Sequence, residues 1–243
     1  MNLRGKTALV TGGAKRVGRE IAMALARKGT NIALHYHASQ REAGETVKEI
    51  ASLGVECRLF RADLSKTEEA LSLAAEMISR FKSVDVLVNN ASAFHKTPIE
   101  EVLDSDWDAL LQINLKAPFL LCQKLGQAMR ENEGGKIINI ADWSGFRPYK
   151  DYLPYCVSKG GLITLTKALA RDLAPKVQAN AVAPGPVLLP PDFPEEEKEK
   201  IIRKTVLGRL GSPLDVAHAV TFLAENDYVN GTVLVVDGGR SLV

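Results

Sequence analysis

The chain has 243 residues, of which 46% are hydrophobic and 25% charged, and its 31 Lys and Arg against 29 Asp and Glu give a formal net charge of +2. This composition is typical of a soluble globular protein and excludes a disordered chain, and no segment is long and apolar enough to form a membrane helix. A charge so close to zero gives no reason to expect nucleic acid or a membrane surface as a partner.

Seven short apolar segments rich in β-branched residues predict strands. In chain order they are Thr7–Thr11, Asn31–Tyr36, Cys57–Arg61, Val84–Val88, Lys136–Ile140, Gln178–Val182 and Thr232–Val236. The first, fourth, fifth and seventh are nearly continuous in Val, Ile, Leu and Ala. Such continuity is typical of a parallel sheet that helices cover on both faces.

Amphipathic segments between these strands predict helices. They are Arg16–Lys28, Ser39–Leu53, Thr67–Phe81, Asp104–Arg130, Tyr152–Ala174 and Pro213–Ala224. The alternation predicts an α/β fold, a Rossmann-type doubly wound parallel sheet of seven strands with helices on both faces. No linker or repeat divides the chain, so residues 1–243 are expected to form a single domain.

One stretch, Pro184–Glu199, follows neither pattern. It contains five prolines, which the acidic run Glu195–Glu197 follows. Two interpretations remain open, a solvated surface loop and a lid that covers a substrate.

The cysteines Cys57, Cys122 and Cys156 are scattered, and none forms a C-x-x-C pair or has His neighbours at metal-ligand spacing. This pattern predicts neither a disulfide scaffold nor a metal site. The N-terminal residues lack the apolar region of a signal peptide. Both features favour a cytoplasmic protein.

The segment Thr11–Gly18 directly follows the first predicted strand and opens the first helix. Glycines at this point let the chain turn tightly and let a pyrophosphate approach the backbone, while the helix N-terminus offers unpaired N–H groups. The alternative is an ordinary structural turn, but the position in the first βα unit favours a dinucleotide site. The candidate cofactor ligands in this turn are Gly12, Lys15, Arg16, Val17 and Gly18.

The end of the second strand indicates which nicotinamide cofactor is used. An NAD site would place an Asp or Glu here for the ribose 2′-hydroxyl, and this chain has neither. Instead His37 and Ser39 can hydrogen-bond a 2′-phosphate, with charge from Lys15, Arg16 or Arg41, so we predict NADPH/NADP as the cofactor. Further candidate contacts are Asp63 and Leu64 after the third strand, where Asp63 either binds adenine or caps a helix, and Asn90 and Ala91 after the fourth.

Tyr155 and Lys159 are four residues apart, so both project from one face of the helix that begins near Tyr152. An ammonium close to a phenol favours the phenolate, so we expect Lys159 to lower the pKa of Tyr155 towards neutrality and to make it a usable general acid.

These motifs resemble, in order and over essentially the whole chain, those of the classical short-chain dehydrogenase/reductase family. The matching positions are Thr11–Gly18, Asp63, Asn89–Ser92, Asn114, Tyr155 with Lys159, Pro184–Gly185 and Asp237–Gly239. The resemblance implies that Tyr155 donates a proton, that Lys159 binds the nicotinamide ribose, and that Asn114 holds a water connecting Lys159 to solvent. It also implies cofactor contacts at Pro184 and Gly185, and a homotetramer formed through the two longest helices.

Two positions depart from the family pattern. Arg16 replaces the middle glycine of the cofactor turn, and Asp142 replaces the usual catalytic serine, although Ser144 lies two residues further on. Together with Ser92, Phe94 and Tyr152, these departures resemble the pteridine reductases. The resemblance implies a pterin ring between the nicotinamide and Phe94, with Arg16 and Ser92 at its polar edge and Asp142, Tyr152 and Tyr155 around it.

Other interpretations remain open. Phe94 can be a core residue, and Arg16 can serve the 2′-phosphate alone. The first competing function is a carbonyl reductase of the same fold acting on 3-oxoacyl thioesters, against which Asp142 argues because such an enzyme needs a hydroxyl to polarise the carbonyl. The second is a non-catalytic NADPH-binding sensor.

Overall fold

A computed structural model describes residues 1–81, 84–189 and 193–243. Its described part contains seven parallel strands in one sheet, with the spatial order β3-β2-β1-β4-β5-β6-β7. The strands are β1 Thr7–Val10, β2 Asn31–Tyr36, β3 Cys57–Arg61, β4 Val86–Asn89, β5 Gly135–Ile140, β6 Val177–Pro184 and β7 Val233–Val236. The doubly wound parallel sheet predicted from the sequence is confirmed.

Helices cover both faces of this sheet. They are α1 Arg16–Arg27, α2 Gln40–Ala51, α3 Thr67–Phe81, α4 Asp104–Leu111, α5 Ala117–Glu131, α6 Leu153–Asp172, α7 Glu195–Arg203 and α8 Pro213–Glu225. None of the helices within the described ranges is long and apolar enough to cross a membrane.

The core consists of two apolar layers, one on each face of the sheet, because successive strand side chains point to opposite faces. Ala8 and Val10 of β1 pack with α1, α2 and α8, whereas Leu9 between them packs with α3, α5 and α6. Because successive side chains of a strand point to opposite faces, nearly every residue of a strand covered on both faces must be apolar. This requirement explains the continuous Val, Ile and Leu runs.

The strand order reverses between β1 and β4, which are neighbours in the sheet. At this switch point the loops that follow the two strands diverge, and a crevice opens at the carboxyl edge of the sheet. The segments predicted to bind cofactor and substrate follow β1, β2, β3, β4, β5 and β6, so the fold brings them to one edge.

The predicted helix Asp104–Arg130 is interrupted. A π-helical turn, Gln112–Lys116, separates α4 from α5. Pro118 has no N–H to donate to the carbonyl of Asn114, four residues earlier, so the regular α-helical hydrogen bonding cannot run through this point.

The stretch predicted to be irregular, Pro184–Glu199, contains the start of a helix that the sequence interpretation missed. Its residues from Glu195 onward belong to α7. Three glutamates in the first turn and basic residues in the last complement the helix dipole, and Lys200 pairs with Glu196 at 2.8 Å. Residues 190–192 of the stretch lie outside the described residues.

Candidate active site

The glycine turn between β1 and α1 is tightly packed. Gly12 has a φ of +63°, in the left-handed region that favours glycine. A Cβ on Gly18 would lie 2.1 Å from the carbonyl oxygen of Gly12, so α1 can approach the turn only because residue 18 has no side chain. The Asn90 amide donates to the carbonyl oxygens of Thr11 at 2.9 Å and Gly12 at 3.2 Å. The turn is therefore held against the end of β4.

Arg16 has a φ of +55°. A non-glycine residue in this region costs about 1 kcal/mol, which glycine would avoid. Its guanidinium lies 3.5 Å from the carbonyl oxygen of Leu188, so the side chain crosses the crevice to the segment after β6. Lys15, beside it, is exposed, and Val17 is half-buried against the core.

His35 on β2 supports the glycine turn, and sequence reasoning missed it. Its Nδ1 accepts a hydrogen bond from the Gly12 N–H at 3.1 Å, and its Nε2 lies 3.0 Å from the carbonyl oxygen of Ala62. These partners require the neutral ring with the proton on Nε2. Burial lowers the pKa of His35 to about 4. The sequence signal was a histidine in an apolar strand directly opposite the turn.

We expect the free energy of unfolding to fall by about 3 kcal/mol between pH 6.5 and pH 4 because of His35 alone. The unfolded imidazole binds a proton below its ordinary pKa of 6.5, whereas the folded one does so only near 4. This contribution is therefore full above pH 6.5 and is lost as the pH falls. Urea titrations across this range, compared with those of His35→Gln, check the prediction.

His35→Gln is the matched variant because its amide can keep both hydrogen bonds without titrating. The pH dependence of its unfolding free energy should be shallower than that of the parent. Parallel profiles for the two proteins would contradict the assignment.

The residues predicted at the adenine end lie at the carboxyl ends of β2 and β3. His37 is exposed, and its Nε2 lies 3.7 Å from the Asp63 carboxylate. Ser39 precedes α2, but its hydroxyl caps none of the described N–H groups there. One Asp63 oxygen accepts hydrogen bonds from the backbone N–H and hydroxyl of Ser65, and this contact lowers the pKa of Asp63. Leu64 is buried beside it.

Tyr155, in the first turn of α6, contacts the carboxylate that replaces the family serine. The tyrosine hydroxyl donates to Asp142 Oδ2 at 3.0 Å, across 13 residues of sequence. The other oxygen, Oδ1, accepts from the Ser144 N–H at 2.7 Å and so fixes the carboxylate. The Ser144 hydroxyl is buried without a hydrogen-bond partner among the described residues. Asp142, and not Ser144, is thus the partner of Tyr155.

Lys159 lies on the same helix face as Tyr155, as its spacing predicted. Its ammonium is 5.7 Å from the centre of the Tyr155 ring and donates to the carbonyl oxygen of Ile140 at 2.9 Å. Burial lowers the pKa of Lys159 to about 8, against the opposing effect of Asp142.

The expectation that Tyr155 has a lowered pKa is wrong for this structure. Burial raises the pKa of Tyr155 well above its ordinary value, and the Asp142 carboxylate raises it further. A phenolate would be desolvated and would face a second negative charge, whereas the protonated phenol donates to that charge. Tyr155 therefore keeps its proton at neutral pH.

Asn114, in the π-helical turn, joins the loop after β4 to α6. Its oxygen accepts from the Ser92 hydroxyl at 3.0 Å and the Ala93 N–H at 2.8 Å. Its amide donates to the Ala93 carbonyl at 3.0 Å and the Ser158 hydroxyl at 3.1 Å. These four bonds use the full capacity of a side-chain amide. The side chain therefore positions the loop that carries Ser92, and sequence reasoning missed Ser158 as its partner.

An aromatic cluster forms one wall of the site. Phe94 is 55% exposed and is therefore not a core residue. It stacks on Tyr152 with ring centres 4.5 Å apart, and its ring centre is 4.7 Å from that of Tyr155. One face of Phe94 is thus covered by Tyr152. Tyr149, which sequence reasoning missed, joins the cluster near Asp142, whose carboxylate adds to the effect of burial and raises the pKa of Tyr149.

Pro184 ends β6 and Gly185 follows it, at the same edge of the sheet. The Gly185 N–H donates to the carbonyl oxygen of Val236 at 3.0 Å. A Cβ on Gly185 would lie 2.7 Å from Asp237. Glycine is thus required here by the close approach of two backbones.

Comparisons with known proteins cover nearly the whole chain. The family model described as enoyl-(acyl carrier protein) reductase matches residues 12–241. The chain is 36% identical over 239 residues to the 3-oxoacyl-[acyl-carrier-protein] reductase FabG of Staphylococcus epidermidis, covering 96% of this chain and 98% of that protein. It is 37% identical over 245 residues to the 2-dehydro-3-deoxy-D-gluconate 5-dehydrogenase of Bacillus subtilis, covering 98% and 95%.

Among solved structures, the chain is similar to a blue fluorescent protein from a metagenomic library in complex with NADPH. The TM-score is 0.92 at 35% sequence identity, and the match covers 99% of both chains.

Proposed function

The chain belongs to the classical short-chain dehydrogenase/reductase family of oxidoreductases, and we propose that it uses NADPH to reduce a ring C=N bond of a dihydropterin. The observation that carries this proposal is the hydrogen bond of 3.0 Å from the Tyr155 hydroxyl to the Asp142 carboxylate. In this proposal residues 1–243 act as one domain.

The residues around the crevice fit NADPH. Gly12 and Gly18 let the turn, the start of α1 and the end of β4 pack closely, and the N-terminus of α1 offers N–H groups to a pyrophosphate. At the end of β2, His37 and the Ser39 hydroxyl take the position where an acidic residue would repel a 2′-phosphate. The remaining cofactor contacts are assigned to Lys15, Arg16, Val17, Asp63, Leu64, Asn90, Ala91, Tyr155, Lys159, Pro184 and Gly185.

When bound, NADPH supplies the hydride, which reaches a ring carbon. The ring nitrogen then needs a proton, which is assigned to Tyr155 because its hydroxyl is protonated at neutral pH; solvent must afterwards return a proton to the phenolate. The Asp142 carboxylate orients the phenol and can accept and return a proton, which a serine hydroxyl cannot do at neutral pH. Lys159 is assigned to the nicotinamide ribose, and a water relay from Lys159 would use the backbone of Asn114, since its side chain is fully engaged.

The substrate ring is assigned to the wall formed by Phe94 and Tyr152. An aromatic ring can stack on Phe94 only at the face that Tyr152 does not cover. Arg16 and Ser92 supply the polar contacts at its edge.

A second candidate is the reduction of 3-oxoacyl thioesters. The relative from Staphylococcus epidermidis that bears that name is 36% identical to this chain. Against this candidate stands the partner of the Tyr155 hydroxyl, which is the Asp142 carboxylate and not a serine hydroxyl that could polarise a carbonyl.

Steady-state assays with NADPH distinguish the two candidates. We expect turnover of 7,8-dihydrobiopterin and no more than background turnover of acetoacetyl-coenzyme A. Both are followed by loss of NADPH absorbance, with the protein heated beforehand as the blank. Turnover of the thioester alone would overturn the proposed function.

We assign the protein to the cytoplasm and to a homotetramer. All three cysteines are free thiols, which suits a reducing compartment. The helix pair α4–α5 and helix α6 expose large apolar side chains, among them Trp107, Phe119 and Val157. Such residues suit contacts between copies of the chain.

A further inference from the structure

A cationic pocket lies beside the site, between the turn after β5, the end of α7 and the last residues of the chain. It has a volume of about 540 Å³ and is lined by Trp143, Arg147, Arg203, Lys204, Arg240 and Val243, among others. None of the described side chains that line it is acidic, and the negative group in the lining is the carboxylate of the terminal residue Val243. Four positive charges thus surround one concave space.

Two of the four cations, Lys204 and Arg240, have no acidic partner within the described structure. Arg147 pairs with the terminal carboxylate of Val243, whereas Arg240 donates to the backbone carbonyl oxygen of Lys204 at 3.0 Å. Each guanidinium has five N–H groups, so one contact each leaves donors free. Arg203 pairs with Glu199 at 3.3 Å, but both are exposed and such pairs are weak.

The ring of Trp143 connects this pocket to the catalytic residues. Trp143 directly follows Asp142 in the chain, and the guanidinium carbon of Arg240 lies 5.5 Å from the centre of its indole. The same indole contacts Tyr149 edge to face, with ring centres 5.3 Å apart. A ligand ring near Asp142 and an anionic group in the pocket would therefore both lie close to this tryptophan.

We propose that the cationic pocket binds an anionic substituent of the substrate, a carboxylate or a phosphate. This inference rests on the proposed function and narrows it to pterins that carry such a group. A planar fork of guanidinium donors recognises these oxyanions well, and a water-exposed lysine adds a point charge.

The test compares substrates that share the ring and differ in charge. The probes are 7,8-dihydrofolate with two carboxylates, 7,8-dihydroneopterin monophosphate and the uncharged 7,8-dihydrobiopterin. In Arg147→Gln/Lys204→Gln we expect the KM of at least one anionic probe to rise about tenfold. The KM of dihydrobiopterin should stay within about twofold. The anionic probe whose KM rises more shows whether the pocket prefers a carboxylate or a phosphate.

The control variant is Lys198→Gln, which removes a charge from α7, the helix that ends just before Lys204, but not from the lining of the pocket. It should leave the KM values of all three probes unchanged. Lys204→Gln alone is the second variant, because its side chain does not hold the C-terminal residues. Equal KM changes for charged and uncharged probes would mean that the pocket is structural and would overturn the proposal.

A calorimetric titration with p-aminobenzoylglutamate, which lacks the pterin ring, separates the pocket from the proposed function. We expect about tenfold weaker binding to the double variant than to the parent. If no dihydropterin is turned over, the proposed function fails, and this titration still decides the pocket. Absent or unchanged binding would overturn the pocket.

Discussion

Replacing Tyr155 by Phe is expected to lower kcat for dihydropterin reduction by about 10³-fold, the usual contribution of a positioned general acid. The variant keeps the ring that packs on Phe94 but loses the hydroxyl that donates to Asp142. Its affinity for NADPH should change by less than about threefold, because Lys159 is held by the carbonyl of Ile140 and not by the phenol. Single-turnover rates and fluorescence titration with NADPH measure the two quantities.

Tyr149→Phe is the matched control, since it removes a hydroxyl from the same aromatic cluster near Asp142. We expect this control to retain at least a tenth of the parent activity. A parent protein that binds NADPH but reduces no dihydropterin or carbonyl, with Tyr155→Phe indistinguishable from it, would instead support the NADPH sensor.

Asp142→Asn is expected to reduce kcat for dihydropterins by about 10²-fold. The amide oxygen can still accept from the Ser144 N–H, so the turn after β5 should keep its shape. The side chain can no longer take up a proton, and the loss of its charge lowers the pKa of Tyr155. The pH profile of kcat should therefore shift to lower pH at its alkaline limb.

Asp142→Ser is the companion variant, because it restores the residue that carbonyl reduction needs. We expect kcat/KM for dihydropterin to fall and kcat/KM for acetoacetyl-coenzyme A to rise relative to the parent. Values of kcat/KM for both substrates in parent and variants provide the measurement. Undiminished dihydropterin turnover in Asp142→Asn would show that the carboxylate takes no part in proton transfer.

Local patterns in the sequence were sufficient for much of the fold. All seven strands were predicted within two residues of their starts and ends, and helix α3 was predicted at its observed bounds. A strand covered on both faces has little freedom in composition, so its residues alone identify it. Where a local signal was overlooked the prediction was wrong, as at Pro118 inside the predicted helix and at the acidic start of α7.

Some features of the candidate site likewise follow from the sequence, whereas others are explained only by the structure. The spacing of Tyr155 and Lys159 places them on one helix face wherever the helix lies. The need for glycine at residue 18, by contrast, is explained by the carbonyl of Gly12 against which it packs. The backbone of Arg16 lies in the left-handed region, and the spacing of residues in the sequence did not predict the resulting strain.

The sequence by itself determined the parallel sheet, the family and the tyrosine–lysine pair, because each depends on residue type and local spacing. Only the tertiary structure decided the proton affinity of that tyrosine. Burial and the Asp142 carboxylate, which follows β5, both raise its pKa. Lys159 was expected to dominate and to lower it. The near-neutral charge of +2 likewise concealed a cationic pocket, because Arg147, Lys204 and Arg240 are distant in sequence and meet only in the folded chain.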